Sequence, residues 1–240
     1  MFDSIKNKFQ FRFKDRIYAA NILAAALQDF LGKDKERSEN MTVLGIPRGG
    51  VIVADMVATK LKASNFDIVI PRKLRIPHNE EAAFGAIMGD GTVYVDDRIV
   101  RDLDISEEYM EKEKEFQLQE IKRRSALYRN KEEFLEQSKQ NKVINGRTII
   151  LVDDGAASGA TVIAVARSIK KALNQNNKLI IGLPVAPKET VALLQKEADH
   201  VEVITAPSLH FNSVGQYYRS FESVSDEKVI EIMKKRNLLL

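Results

Sequence analysis

An α/β fold, a parallel sheet flanked by helices, is predicted by three features of this 240-residue chain. First, Ile149 to Val152 are four consecutive apolar residues, the pattern of a strand buried on both faces, and a small-residue turn leads from them into a helix over Thr161 to Leu173. Second, the same order occurs earlier: an apolar run from Thr42 to Ile46, the turn Pro47-Arg48-Gly49-Gly50, and a helix over Val51 to Leu61. Third, Lys178 to Val185, Pro187 to Glu197 and His200 to Thr205 alternate strand, helix and strand, as crossovers between parallel strands require. Such crossovers are right-handed.

The other elements follow in chain order. Asp15 to Leu31 reads as a helix because Ile17, Ala20, Ala24, Leu27 and Leu31 recur at three- and four-residue steps, with Gly32 as its stop. The charged run Lys33 to Asn40 reads as a solvated loop. Asp67 to Pro71 is a further strand, with Arg72 and Lys73 at its end. From Arg75 to Gly91 the text holds three glycines and few strand signals, so residues 75–91 are expected to form a mobile lid in which Glu80, Glu81 and His78 are contact or proton-transfer candidates. Val93 to Val95 and Arg98 to Val100 are expected as short strands or a hairpin. Ser106 opens a long charged helix, expected to reach about residue 140, with Leu118, Ile121 and Tyr128 on one face and Tyr109, Phe116, Leu127 and Phe134 on another. So thin an apolar cover suits packing on an edge or on a second subunit. Its run from Arg123 to Arg129 reads as a solvated face, with phosphate contact as the alternative. Asn145-Gly146 marks a turn. Beyond Pro207, Phe211, Tyr217, Tyr218 and Phe221 cluster in an irregular stretch that packs back on the domain or stacks on a planar ligand, before a helix over Asp226 to Lys235. The expected organisation is a core over 1–206, carrying the lid and the 106–140 helical insertion, and a 207–240 segment that serves as a cap.

Composition narrows the function. A net charge of +3 is too small to point to nucleic acid, and a charged fraction of 30% with 44% hydrophobic residues is that of an ordinary globular chain. The absence of cysteine excludes disulfides, a catalytic thiol and Cys-ligated zinc, and fits a cytoplasmic location. No run reaches the roughly 18 apolar residues a membrane span needs, so no membrane partner is expected.

The chemistry concentrates in I-I-L-V-D-D-G-A-A-S-G-A-T, residues 149–161. Gly155, Ala156, Ala157, Ser158, Gly159, Ala160 and Thr161 carry so little bulk that backbone N–H groups can converge on an anion at a helix N-terminus. Asp153 and Asp154 stand at the strand's carboxyl end, where open α/β sheets bind ligands, and paired acids beside a phosphate suit the hydroxyls of a phosphorylated sugar. The glycine spacing matches neither a nucleoside triphosphate loop nor a dinucleotide fold.

This stretch resembles the motif that binds 5-phosphoribosyl 1-diphosphate (PRPP) in type I phosphoribosyltransferases. With F-K-D-R at 13–16, P-R-G-G, P-R-K, Y-R at 128–129 and V-G-Q-Y-Y at 214–218, nearly the whole chain is similar to a family of bacterial and archaeal phosphoribosyltransferases. The resemblance implies the type I fold with a small cap, a homodimer, and transfer of ribose 5-phosphate from PRPP to a base or other nitrogenous acceptor. It implies that residues 155–161 hold the 5-phosphate and that Asp153 and Asp154 grip the sugar hydroxyls or Mg²⁺, directly or through water. Arg48, Gly49 and Gly50 would meet the diphosphate, with Arg72 and Lys73 acting on it as it leaves. One departure bears on the acceptor: 6-oxopurine enzymes of this class carry an aspartate where this chain has Ala157, which speaks against such a base. A PRPP-binding regulator without catalysis is the alternative from another class, and a phosphate-binding scaffold for a partner protein ranks behind it.

Overall fold

The computed structural model describes residues 12–32, 40–128, 148–173 and 177–236. Helix α1 (Arg16–Leu31) precedes strand β1 (Met41–Gly45), helix α2 (Gly49–Leu61) and strand β2 (Asn65–Ile68). Strands β3 (Arg72–Ile76), β4 (Asn79–Ile87) and β5 (Val93–Val95) follow, then helices α3 (Asp97–Asp102) and α4 (Glu107–Tyr128). The second half runs β6 (Thr148–Val152), α5 (Ala160–Ala172), β7 (Lys178–Val185), α6 (Lys188–Leu194), β8 (His200–Thr205) and α7 (Asp226–Lys235).

Five strands form one parallel sheet in the order β2-β1-β6-β7-β8. Every residue of β6 is buried, as its unbroken apolar text required, and successive side chains go to opposite faces. Val43, Ile150 and Val152 meet α1 and α2 on one face, whereas Leu44, Ile149 and Leu151 meet Ile163, Val165 and Ile169 of α5 on the other. Because α2 and α5 cover opposite faces, the chain switches direction between β1 and β6, and the register pairs Gly45 with Val152 at their carboxyl ends. That pairing places the loops after these strands side by side, over the crevice such a switch point creates.

In α1 the stripe is displaced from the expected one. Ile17 is 44% exposed, while Ala19, Ala20, Leu23, Ala24, Leu27 and Leu31 are buried. Ala20, Leu23, Ala24 and Leu27 join the core that α1 shares with α2 and the sheet, Ala19 packs with Phe13, Tyr217 and Tyr218, and Ile17 in the first turn falls outside both groups. Asp15 caps the helix, accepting from the Tyr18 N–H at 2.8 Å.

Two expectations are corrected. Residues 75–91, read as nearly free of strand signals, contain most of an antiparallel sheet β3-β4-β5, bulged at Leu74, Arg75 and Ile76. Leu74, Phe84 and Ile87 pack there with Ile105 and Ile121, a pairing that glutamates, alanines and a glycine in β4 concealed. Residues 98–100 are helical, since Asp96 accepts from the Arg98 N–H at 3.0 Å and starts a helical turn. The aromatic tail packs back on the domain, the first of its two expected outcomes: Tyr217 and Tyr218 are buried with Phe13, against Phe211 and Phe221. The expected loop at 33–39, the part of the charged helix beyond 128 including Phe134, and the turn at 145–146 lie outside the described residues. The terminal helix has the expected bounds, Asp226–Lys235.

Candidate active site

A cavity of about 520 Å³ opens above the β1/β6 switch point. Its floor is the loop that follows β6. Gly159 takes a left-handed conformation, φ 77°, which turns the chain into α5 and leaves the first-turn N–H groups of that helix at the cavity. The amide of Ala156 is not among the donors available there, because it donates to the Val185 carbonyl at 2.9 Å. That bond and a hydrogen bond from the Thr190 hydroxyl to the Ala157 carbonyl hold the loop to β7 and α6.

The structure brings the expected residues together from three distant segments. Arg48 and Gly49 after β1, Arg72 and Lys73 at the start of β3, and residues 153–161 all line the cavity. Gly50 stands just behind, packed against Asp153: a Cβ there would lie 2.5 Å from the Asp153 carboxylate and 2.8 Å from its Cα. At Gly49 a Cβ would lie 1.9 Å from Asp154 Oδ2. The consecutive glycines of P-R-G-G thus let the two loops interlock, one strand's turn against the other's acids. The Pro47–Arg48 peptide bond is cis. His78 turns through a left-handed residue, φ 62°, at the tip between β3 and β4, and Ala82 and Ala83 of the same hairpin form part of the cavity wall.

The acid pair is electrostatically poised. Asp153 Oδ1 accepts from the Asp154 N–H at 2.8 Å, and Asp154 Oδ2 accepts from Arg16 Nε at 2.7 Å. Burial, and then the neighbouring Asp154 charge, push Asp153 well above the usual carboxylate range. Burial also raises Asp154, with the Arg16 guanidinium pulling against it. One guanidinium therefore balances two adjacent acids, an arrangement that favours a further cation or a hydroxyl donor.

Arg16 carries no role in the sequence reading, because its partner lies 138 positions away. Its Nη1 donates to the Glu222 carbonyl at 2.7 Å and its guanidinium lies 3.8 Å over the Phe221 ring. The Tyr218 hydroxyl donates to the Asp154 carbonyl at 2.6 Å. The aromatic segment therefore braces the acid loop from behind, and among the described residues no aromatic side chain lines the cavity. Arg124 of α4 also departs from the sequence reading: it lines the cavity beside Arg72, where the charged text suggests a solvated face. Opposite it, Asp226 at the start of α7 accepts from the Tyr128 hydroxyl and lies 3.9 Å from Arg48 Nη1.

Residues 14–219 match the phosphoribosyl transferase domain family, and the chain belongs to that family. A curated relative in two strains of Mycobacterium tuberculosis, bearing the name "Putative phosphoribosyl transferase", is 34% identical over 93% of this chain. This chain spans about half the length, 46%, of those relatives. Among solved structures, TT1426 from Thermus thermophilus superposes with a TM-score of 0.68 at 31% identity, covering 95% of this chain and 100% of that one. The fold is the type I phosphoribosyltransferase fold, with its five-stranded parallel sheet between helices. Among the described residues, no helix is long and apolar enough to cross a membrane.

Proposed function

We propose that this chain moves the ribose 5-phosphate group of PRPP to a nitrogenous acceptor and releases diphosphate. What supports the reading is the convergence, in one cavity, of a small-residue loop at a helix N-terminus, an under-neutralised acid pair and cations from separate segments. Each suits one part of PRPP. The loop from Gly155 to Thr161, without the spent amide of Ala156, seats the 5-phosphate. Asp153 and Asp154 accept from the ring hydroxyls and place negative charge near an anomeric carbon that becomes cationic in the transition state. Arg48, with the backbone of Gly49 beside it and Gly50 letting their turn pack against Asp153, takes the diphosphate, and Arg72 and Lys73 stabilise the charge that grows on it as the C–O bond breaks.

Mg²⁺ fits this donor set. Among the described residues no cluster of three or more His, Cys, Asp or Glu could cage a metal by itself. Two adjacent carboxylates raised by burial suit an ion that keeps water and shares ligands with a substrate's phosphates. Asp153 and Asp154 would hold it, directly or through water, and when bound it would neutralise charge on the leaving group. The hairpin of β3 and β4, with the 88–91 turn, serves in this reading as the cover that excludes water from the reacting sugar, and the 207–240 segment as a brace behind the acids. A homodimer and a cytoplasmic location belong to the same proposal.

Calorimetry with PRPP and Mg²⁺ tests the binding half. Asp154→Asn should weaken binding by about tenfold or more, since it removes one charged hydrogen-bond acceptor at constant size. Unchanged affinity would reject the assigned role. Diphosphate release with a panel of nitrogenous acceptors tests the chemistry, and silence across the panel with PRPP still bound would make the protein a PRPP-binding regulator.

A further inference from the structure

A buried polar relay crosses the otherwise apolar interface between α4 and β3, where Leu74, Phe84 and Ile121 meet. Gln117 is fully buried, and both ends of its amide are used. Its Oε1 accepts from Arg72 Nε at 2.8 Å, and its Nε2 donates to Glu113 Oε1 at 2.8 Å. The same Glu113 oxygen accepts from the backbone N–H and the Nε of Arg75, each at 3.0 Å. Burying an amide and a carboxylate is costly unless every group is paired, so this relay holds one arrangement firmly. The arrangement ends on Arg72, a residue that lines the cavity.

Two turns further along the same side of α4 stands Arg124. Its Nε is buried without a hydrogen-bond partner among the described residues, and the side chain also lines the cavity. Burial, and next the charge of Arg124, hold Arg72 below the usual guanidinium range, so the two cations oppose one another. A buried N–H lacking an acceptor and two adjacent guanidinium groups are both relieved by an anion lying between them.

We propose that Arg124 is a further anion-binding residue of this cavity, paired with Arg72 to grip the diphosphate end of the substrate, and that Gln117, backed by Glu113, is the positioning residue for Arg72. The proposal rests on the reading that this cavity takes PRPP. It gives α4 a role the charged text conceals: the helix supplies one arm of the clamp and fixes the other.

Calorimetry with three probes tests it: inorganic diphosphate with Mg²⁺, PRPP with Mg²⁺, and ribose 5-phosphate. Arg124→Gln should weaken diphosphate and PRPP by about tenfold or more, the weight of one charged hydrogen bond, and leave ribose 5-phosphate affinity as it was. Gln117→Leu should give the same pattern, yet add nothing in an Arg72→Gln background, because it acts through Arg72. A purely structural role for Gln117 would weaken all three probes and would add to Arg72→Gln. Wild-type diphosphate affinity in Arg124→Gln, with PRPP still bound, would overturn the clamp and leave the PRPP reading standing. Binding of diphosphate but not PRPP, with the loss in Arg124→Gln intact, would do the reverse.

Discussion

Replacing Asp153 by asparagine should stabilise the protein in ligand-free buffer while damaging its site. Two carboxylates share one guanidinium here, and Asp153 is the one without the Arg16 bond. Asparagine keeps the Oδ1 that accepts from the Asp154 N–H, so the turn loses no hydrogen bond. What disappears is a charge that burial and Asp154 disfavour. An acid whose folded pKa is raised binds more protons folded than unfolded, so it costs stability increasingly as pH rises from its ordinary value of 3.8 through the raised one. Each unit of elevation corresponds to about 1.4 kcal/mol, or roughly 3–6 °C of Tm for a chain of this size. Thermal unfolding of both proteins from pH 4 to 9 should show little difference at the acid end and a variant several degrees more stable at the alkaline end. Addition of Mg²⁺ and PRPP should reverse the order, because ligand at a hundredfold excess over Kd contributes about 2.7 kcal/mol to a protein that binds it. A variant less stable than wild type at pH 8, or a gap independent of pH, would refute the charge argument.

Two further outcomes are expected. Gly49→Ala forces a methyl to within 1.9 Å of Asp154 Oδ2, which Arg16 restrains from moving, so it should cost about 1–3 kcal/mol of stability; calorimetry should show PRPP affinity falling about tenfold or more as the acid shifts, and a variant that binds normally would show that the two loops do not interlock. Tyr128 is buried, donates to Asp226, and has its pKa pushed up to about 12, so its share of stability is full below pH 10 and lost as pH rises from there through 12; in denaturant titrations Tyr128→Phe should be about 1 kcal/mol less stable at pH 8 and lose less than wild type between pH 10 and 12.

The motif residues were legible because their chemistry is local. A strand of four buried apolar residues, two acids and seven small residues can be read within thirteen positions, and P-R-G-G announces a tight turn in four. The β3–β4 hairpin was not legible, because its text of glutamate, alanine and glycine has weak strand preference, and only cross-strand partners and the α4 face make it extended. The turn at Asp96 could have been found from its capping residue, which outweighs the β-branched pair Ile99-Val100 in so short a piece.

Periodicity alone predicted the parallel α/β class, and the motifs at 13–16, 47–50, 71–73, 149–161 and 214–218 carried the resemblance to the family, since both depend on the order of residues within single segments. Tertiary structure decided which distant groups share the cavity: Arg16 reaching Asp154 across 138 positions, Arg124 meeting Arg72, and the tail aromatics bracing the acids. Pairings of that kind arise from the parallel register of β1 with β6 and the packing of α4 on β3. No single segment of sequence encodes the distance between two others, so charge compensation inside the site became visible only once those elements were folded together.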